Sequence, residues 1–289
     1  MGEFPVALMH QPPSRPGSPR PTKSSGDGAE AKPRSDANGS AELAAAERLQ
    51  KLIAAAGVCS RRRAEELLRQ GRVLLNGSPA KLGDRADPRQ DRILIDGRPL
   101  GQRPAPLTLL LHKPVGVLST CHDPQGRPTV LDLLPAELRR GQGLHPVGRL
   151  DADSRGALLL SNDGTLTLRL THPRYGHSRT YRVWVQGRPT PHTLRLWAAG
   201  VPLEGRASQP VQVRLIGQGP DRSRLELVMH EGRYRQIRRT AERLGHPVLD
   251  LQRVAIGPIL LADLAEGGWR MLRADEGLSQ EWSPPPQRF

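Results

Sequence analysis

Apolar positions along this chain fall into two blocks of different period. In the first, Leu49, Leu52, Ile53 and Ala56 recur at i, i+3, i+4 and i+7, which predicts one face of a helix that Gly57 stops. Ser60 is placed to cap a second helix through Ala64, Leu67 and Leu68, ending at Gly71. Arg72-Val73-Leu74-Leu75 then reads as a short strand turning at Asn76-Gly77, and Ile93-Leu94-Ile95 as another closed by Asp96-Gly97. Two helices and a few strands over 47–98 make a module too small for an enzyme core. A linker with Pro99, Pro104 and Pro106 follows. The second block, 107–275, reads mainly as strands: Leu107 to Leu111, Ala157 to Leu160, Thr180 to Val185, Val211 to Leu215 and Leu225 to Met229. Helices are expected near 190–199 and 233–244. Strands outnumbering helices in mixed order predict an α+β sheet enzyme, not a doubly wound one.

The flanks lack periodicity. Residues 1–42 hold Pro12, Pro13, Pro16, Pro19, Pro21 and Pro33 among Ser and Gly, with too little apolar surface to offset ordering entropy, so a disordered tail is expected. Its acids Asp27, Glu30 and Asp36 speak against a transit peptide, and Met1 to Ala7 lacks the pattern of a secretory signal. Residues 276–289, with Pro284, Pro285 and Pro286, are expected to form a second tail. No apolar run approaches the ~20 residues of a membrane span. Two unpaired cysteines, Cys59 and Cys121, exclude a disulfide scaffold and a cysteine zinc site, and point to a reducing, cytoplasmic compartment.

Charge narrows the partner. Over 289 residues, 43 Lys plus Arg face 29 Asp plus Glu, a formal net charge of +14. A polyanion such as RNA explains that field, because each cation at a phosphate releases counterions. Solubility or a coding bias is the alternative. Aromatics are only 3%, so recognition should lean on arginine, with an aromatic reserved for a special base.

Four segments carry candidate chemistry. In Val147-Gly148-Arg149-Leu150-Asp151-Ala152-Asp153-Ser154-Arg155-Gly156, a carboxylate sits between Arg149 and Arg155 in a Gly-flanked turn. Neighbouring arginines keep Asp151 ionised, which suits a nucleophile and not a general acid. The pair with Asp153 also fits a metal-dependent hydrolase, and Asp151 alone also fits a turn or an ion pair. In Glu231-Gly232-Arg233-Tyr234-Arg235-Gln236-Ile237-Arg238-Arg239, a helix would set Arg235, Arg238, Arg239 and Arg243 on one face, with Ile237, Ala241 and Leu244 on the core face. Glu242 is the one local acid after Glu231, which favours a phosphate-facing role over a solvated face. Tyr181, in Arg179-Thr180-Tyr181-Arg182, is a core residue or a platform for a flipped base. Arg61, Arg62 and Arg63 open the second helix, where the dipole already favours anions; a surface charge run is the alternative.

Together these residues resemble the RsuA-type ribosomal pseudouridine synthases over about 47–275. Gly57-Val58-Cys59-Ser60-Arg61-Arg62 and Gly71-Arg72-Val73-Leu74-Leu75-Asn76-Gly77 look like the RNA-binding domain named after ribosomal protein S-four. Lys113-Pro114-Val115-Gly116-Val117 and Asp123-Pro124-Gln125-Gly126-Arg127-Pro128-Thr129-Val130 resemble the opening of the catalytic domain. Gly148-Arg149-Leu150-Asp151, continuing to Gly164, resembles the segment bearing the catalytic aspartate. The resemblance implies a small S-four-type module followed by a mixed, mainly antiparallel sheet. It implies isomerisation of a uridine in ribosomal RNA without cofactor or metal. Asp151 would be the catalytic aspartate, Tyr181 the stacking tyrosine, Arg238 the arginine pairing with Asp151, and Ile237 part of the uracil pocket. Arg61, Arg62, Arg63, Arg149, Arg179, Arg235 and Arg239 would contact RNA. Two positions depart from the pattern: Arg179 stands where lysine is usual, and Tyr234 where a smaller polar residue, often Asn, is common. The large-subunit, RluB-like members resemble the chain most, the small-subunit enzyme next. A non-catalytic ribosome-assembly factor is the other alternative, and a monomer is the default.

Overall fold

Short elements build the first block because each is closed by a residue suited to end it. The computed structural model describes residues 46–273 and Glu276. The tail expected over 1–42, and the second from 277 onward, lie outside the described residues. After β1 (Glu47–Arg48) come α1 (Leu49–Ala55) and α2 (Arg61–Arg69). Ser60 caps α2, its Oγ accepting from the Arg63 N–H at 3.2 Å. Strands β2 (Val73–Leu75), β3 (Ser78–Pro79), β5 (Ile93–Ile95) and β6 (Arg98–Pro99) form a sheet ordered β3-β2-β5-β6, while β4 (Arg85–Ala86) pairs with β1. Pro99 lies on the edge strand β6, where no ladder donor is missed, so the sheet extends one residue past the expected module end. Leu49, Ile53, Leu67, Leu68, Val73 and Ile93 close the core. Gly57, at φ 76°, lies so close to the second block that a Cβ would sit 2.1 Å from the Gly141 carbonyl oxygen.

The second block is one mixed sheet with helices packed on it. Its strands are β7 (Thr108–Lys113), β8 (His145–Val147), β9 (Arg155–Ser161), β10 (Arg179–Gln186), β13 (Gln212–Gln218), β14 (Arg222–Met229), β15 (Val248–Ile256), β16 (Ile259–Leu260) and β17 (Trp269–Met271). A separate hairpin pairs β11 (Pro202–Leu203) with β12 (Arg206–Ala207). The order β13-β14-β10-β15-β9-β7-β17 is antiparallel except between β15 and β9, which run parallel. The helices are α3 (Ala136–Arg139), α4 (Gly164–Thr171), α5 (Pro191–Ala199) and α6 (Gln236–Arg243).

Burial explains the sequence periods. The β7 and β9 runs are buried on both faces: Leu109, Leu111, Leu158 and Leu160 pack with the 117–150 segment, and Leu110, Ala157 and Leu159 pack with α4. In β10, Val183 and Val185 face Trp197 of α5 and Ala241 of α6, while Trp184 lies under the guanidinium groups of Arg222 and Arg224 on the other face.

Several elements differ from expectation, among them the helices Ala136–Arg139 and Gly164–Thr171, which lie where no helix is expected. The helix expected over 233–244 begins only at Gln236, because Arg235 holds a left-handed φ of 49° that no helix accepts. The 9-residue β15 was not anticipated: Arg253 occupies a buried position and breaks its apolar alternation. Glu276, expected to begin a tail, is instead fixed by two 2.7 Å bonds from the Arg270 guanidinium, a fork that matches the carboxylate.

Candidate active site

Asp151 sits in a loop held from several sides. Ahead of it, the Ser119 hydroxyl donates to the Leu150 carbonyl at 2.8 Å, and the Leu150 N–H donates back at 3.1 Å. The Gly116 N–H donates to the Ala152 carbonyl at 2.7 Å. Beneath the loop lies Lys113, fully buried, whose Nζ donates to the carbonyls of Pro114 and Ser154 at 2.7 Å and of Ala152 at 3.4 Å. Burial pushes this ammonium down to about 8, with Asp153 and Asp151 opposing the fall. The Asp151 carboxylate, 26% exposed, thus projects from a fixed backbone.

The loop opens on a cleft of about 700 Å³. Asp151, Tyr181, Ile237, Arg238, Arg149, Arg179 and Arg235 all line it. Tyr181 packs at the junction of two apolar clusters, one around Leu150 and Leu158, the other around Val183 and Ile237. Exposed Tyr234 stands at the rim. Arg179 reaches the Leu170 carbonyl through Nη2 at 3.3 Å.

The arginine pairing differs from the one the resemblance implies. Arg238 does not pair with Asp151: its Nε lies 3.3 Å from the Asp153 carboxylate, and its Nη2 donates to the Asp153 carbonyl at 2.6 Å. The guanidinium beside Asp151 is that of Arg235, at 3.7 Å, which also grips Asp153 at 3.1 and 2.7 Å. The physical reason is the left-handed turn at Arg235, which takes this residue off the helix and aims it across the cleft at both acids. Burial would raise the Asp153 carboxyl, but the Arg235 hydrogen bonds and the charges of Arg238 and Arg235 outweigh it and hold it below the usual range.

The expected basic face of α6 is also changed. Arg239 lies outside the cleft lining and pairs with Glu204 at 2.9 Å. The segment itself is poor in acids, and the carboxylates that meet its arginines, Asp153 and Glu204, arrive from elsewhere in the chain. Arg61, Arg62 and Arg63 are exposed at the start of α2, away from the cleft lining, with Arg63 paired to Glu66 at 2.6 Å.

Two residues that the sequence pattern misses adjoin the site, Lys113 beneath the Asp151 loop and Arg253 in the cleft lining. Lys113 opens the run Lys113-Pro114-Val115-Gly116-Val117, and its signal is a lone cation ending an apolar strand. Arg253 lines the cleft from β15 and had no comparable signal.

Residues 108–243 match the RNA pseudouridylate synthase family, and 47–93 match the S4 domain. The ribosomal large subunit pseudouridine synthase B of Bacillus subtilis is 40% identical, over 80% of this chain and 93% of that protein. The chain belongs to the RNA pseudouridylate synthase family. Another member, named an uncharacterized RNA pseudouridine synthase of Aquifex aeolicus, is 37% identical over 79% of this chain and 91% of its own length. A crystal structure of a pseudouridylate synthase, 30% identical, superposes with a TM-score of 0.57 over 78% of this chain and 96% of that one. An S4 domain ahead of a mixed synthase sheet is therefore the architecture of this family member, and among its described residues no helix is long and apolar enough to cross a membrane.

Proposed function

We propose that this synthase isomerises one uridine of large-subunit, 23S ribosomal RNA to pseudouridine, with Asp151 as its catalytic aspartate. The observation that carries the reading is an Asp151 carboxylate in a cleft, 3.7 Å from the Arg235 guanidinium and sharing the lining with Tyr181 and Ile237. The ionised carboxylate is the form that attacks C1′ or takes a proton from the ribose. Either route breaks the C1′–N1 bond, turns the base and forms C1′–C5. The uridine must leave its stack to reach the acid, and the Tyr181 ring replaces part of the lost stacking. Ile237 supplies an apolar wall. Arg238 acts on Asp151 indirectly in this reading, by clamping Asp153 and so the turn that carries the catalytic aspartate. Arg149, Arg179 and Arg235 line the cleft as phosphate contacts, and Arg61, Arg62 and Arg63 serve the S4 side.

The reading assigns 47–98 to RNA binding and 107–275 to catalysis, in a cytoplasmic monomer that needs neither cofactor nor metal. The names of relatives such as the Bacillus subtilis enzyme support the large subunit as the target.

Pseudouridine mapping of both ribosomal RNAs, with and without the gene, tests this directly. One 23S position should lose its modification, return with the wild-type gene and stay unmodified with Asp151→Asn. The purified Asp151→Asn protein should bind the RNA as the wild type does. An unchanged map, or isomerisation surviving in that variant, would refute the assignment.

A further inference from the structure

Beside the acid and the tyrosine lies a buried cation that has no carboxylate partner among the described residues. The side chain of Arg253 belongs to a residue only 3% exposed. Its Nε donates to the Ala157 carbonyl at 2.7 Å and its Nη1 to the Arg149 carbonyl at 3.4 Å, on either side of Asp151 in the chain. Its Nη2 is buried and has no hydrogen-bond partner among the described residues. A buried, unpaired guanidinium is costly, and an apolar residue there would fold more readily.

Sheet register shows what the charge is beside. Gly156 of β9 pairs with Arg253 of β15, and Arg253 pairs in turn with Tyr181 of β10. The three residues form one row across three strands. Gly156 has no side chain, and a Cβ there would lie 2.2 Å from the Arg253 carbonyl oxygen, so the strands close tightly where the Asp151 loop enters the sheet. Burial pushes the Arg253 guanidinium below its ordinary range, and the Tyr181 hydroxyl opposes that fall.

We infer that Arg253 is a positioning residue for the isomerisation: anchored on the backbone flanking Asp151 and set across from Tyr181 in the strand register, it holds acid and ring in one geometry around the everted base. The inference rests on the proposed roles of Asp151 and Tyr181. Backbone carbonyls and a phenol hydroxyl can all accept from one planar fork of five donors, which lysine cannot reproduce. Arg253 contacts the reaction only through these two groups.

The test is a double-mutant cycle on the full chain, using the ribosomal RNA in which mapping locates the modification. Single-turnover isomerisation, RNA affinity and thermal midpoint are measured for Arg253→Gln, Arg253→Lys, Tyr181→Phe and the Tyr181→Phe combinations. Arg253→Gln should slow the chemical step by about 100-fold and leave RNA affinity within about threefold, with Arg253→Lys recovering part of the rate. In the Tyr181→Phe background, which lacks only the hydroxyl, Arg253→Gln should cost much less than in the wild type. Full multiplicative loss in that background overturns the inference. So does an unaltered rate, a loss matched by weaker RNA binding, or a failure of Arg253→Lys to fold, which would make the residue structural alone. An inactive wild-type protein would instead remove the functional reading on which the inference stands.

Discussion

Single residues around the cleft are held by donors placed under backbone, and Lys113 is the clearest case. Its ammonium satisfies carbonyls of Pro114, Ala152 and Ser154 while fully buried. Lys113→Met removes the ammonium from the Pro114 and Ser154 carbonyls, leaves Ala152 with the Gly116 N–H alone, and loosens the turn of Asp151, so the isomerisation rate should fall at least about tenfold in a single-turnover assay. The same side chain predicts a pH effect. Its value drops from 10.5 to about 8 on folding. Between those limits the unfolded chain holds more protons than the folded one, so stability from this group rises with pH across that window. Urea unfolding of the wild type should show that rise, and Lys113→Met should lack it. Asp151, Tyr181 and Ile237 were legible as candidates because each stood in a recognisable run. Which arginine faced which acid was not legible, since Arg235 and Asp153 meet from 82 positions apart.

At the scale of elements, backbone contact sets the limits. Gly156 holds φ at 114°, and a Cβ there would lie 2.2 Å from the Arg253 carbonyl oxygen, in the parallel pairing of β9 and β15. Gly156→Ala should therefore destabilise the chain by about 2 kcal/mol or more in urea unfolding. Gly164, at the start of α4, meets nothing within 4 Å and has no positive φ. Gly164→Ala should be neutral or stabilising by up to about 1 kcal/mol. Helix ends at Gly57 and Gly71 and the cap at Ser60 were readable because capping is local chemistry. Strand β15 was not, because its buried charged residue finds its acceptors only after the sheet has formed.

For the whole molecule, the net charge of +14 makes RNA affinity a function of salt. The logarithm of the binding constant should fall steeply and linearly with the logarithm of salt concentration. Arg61 and Arg62 are exposed at the N-terminus of α2. Replacing each with alanine should flatten that slope by about one per arginine and leave the rate on bound RNA unchanged. A slope unmoved by both changes would mean that the S4 side does not contact phosphate. The excess of arginine was plain in the sequence, but its distribution was not: Arg235, Arg238 and Arg239 are each engaged by acids from other elements.

The sequence by itself determined several of the main helices and strands, the two-block order, the basic field and the short list from which an acid, a ring and an apolar wall could be chosen. Those follow from forces acting within a few residues: periodic burial, capping, turn conformation and summed charge. Tertiary structure alone decided that Arg235 lies beside Asp151, that Arg238 clamps Asp153, and that Lys113 and Arg253 support the loop from below. Such pairings depend on which strands become neighbours. A buried cation finds its acceptors only when distant segments of backbone close around it.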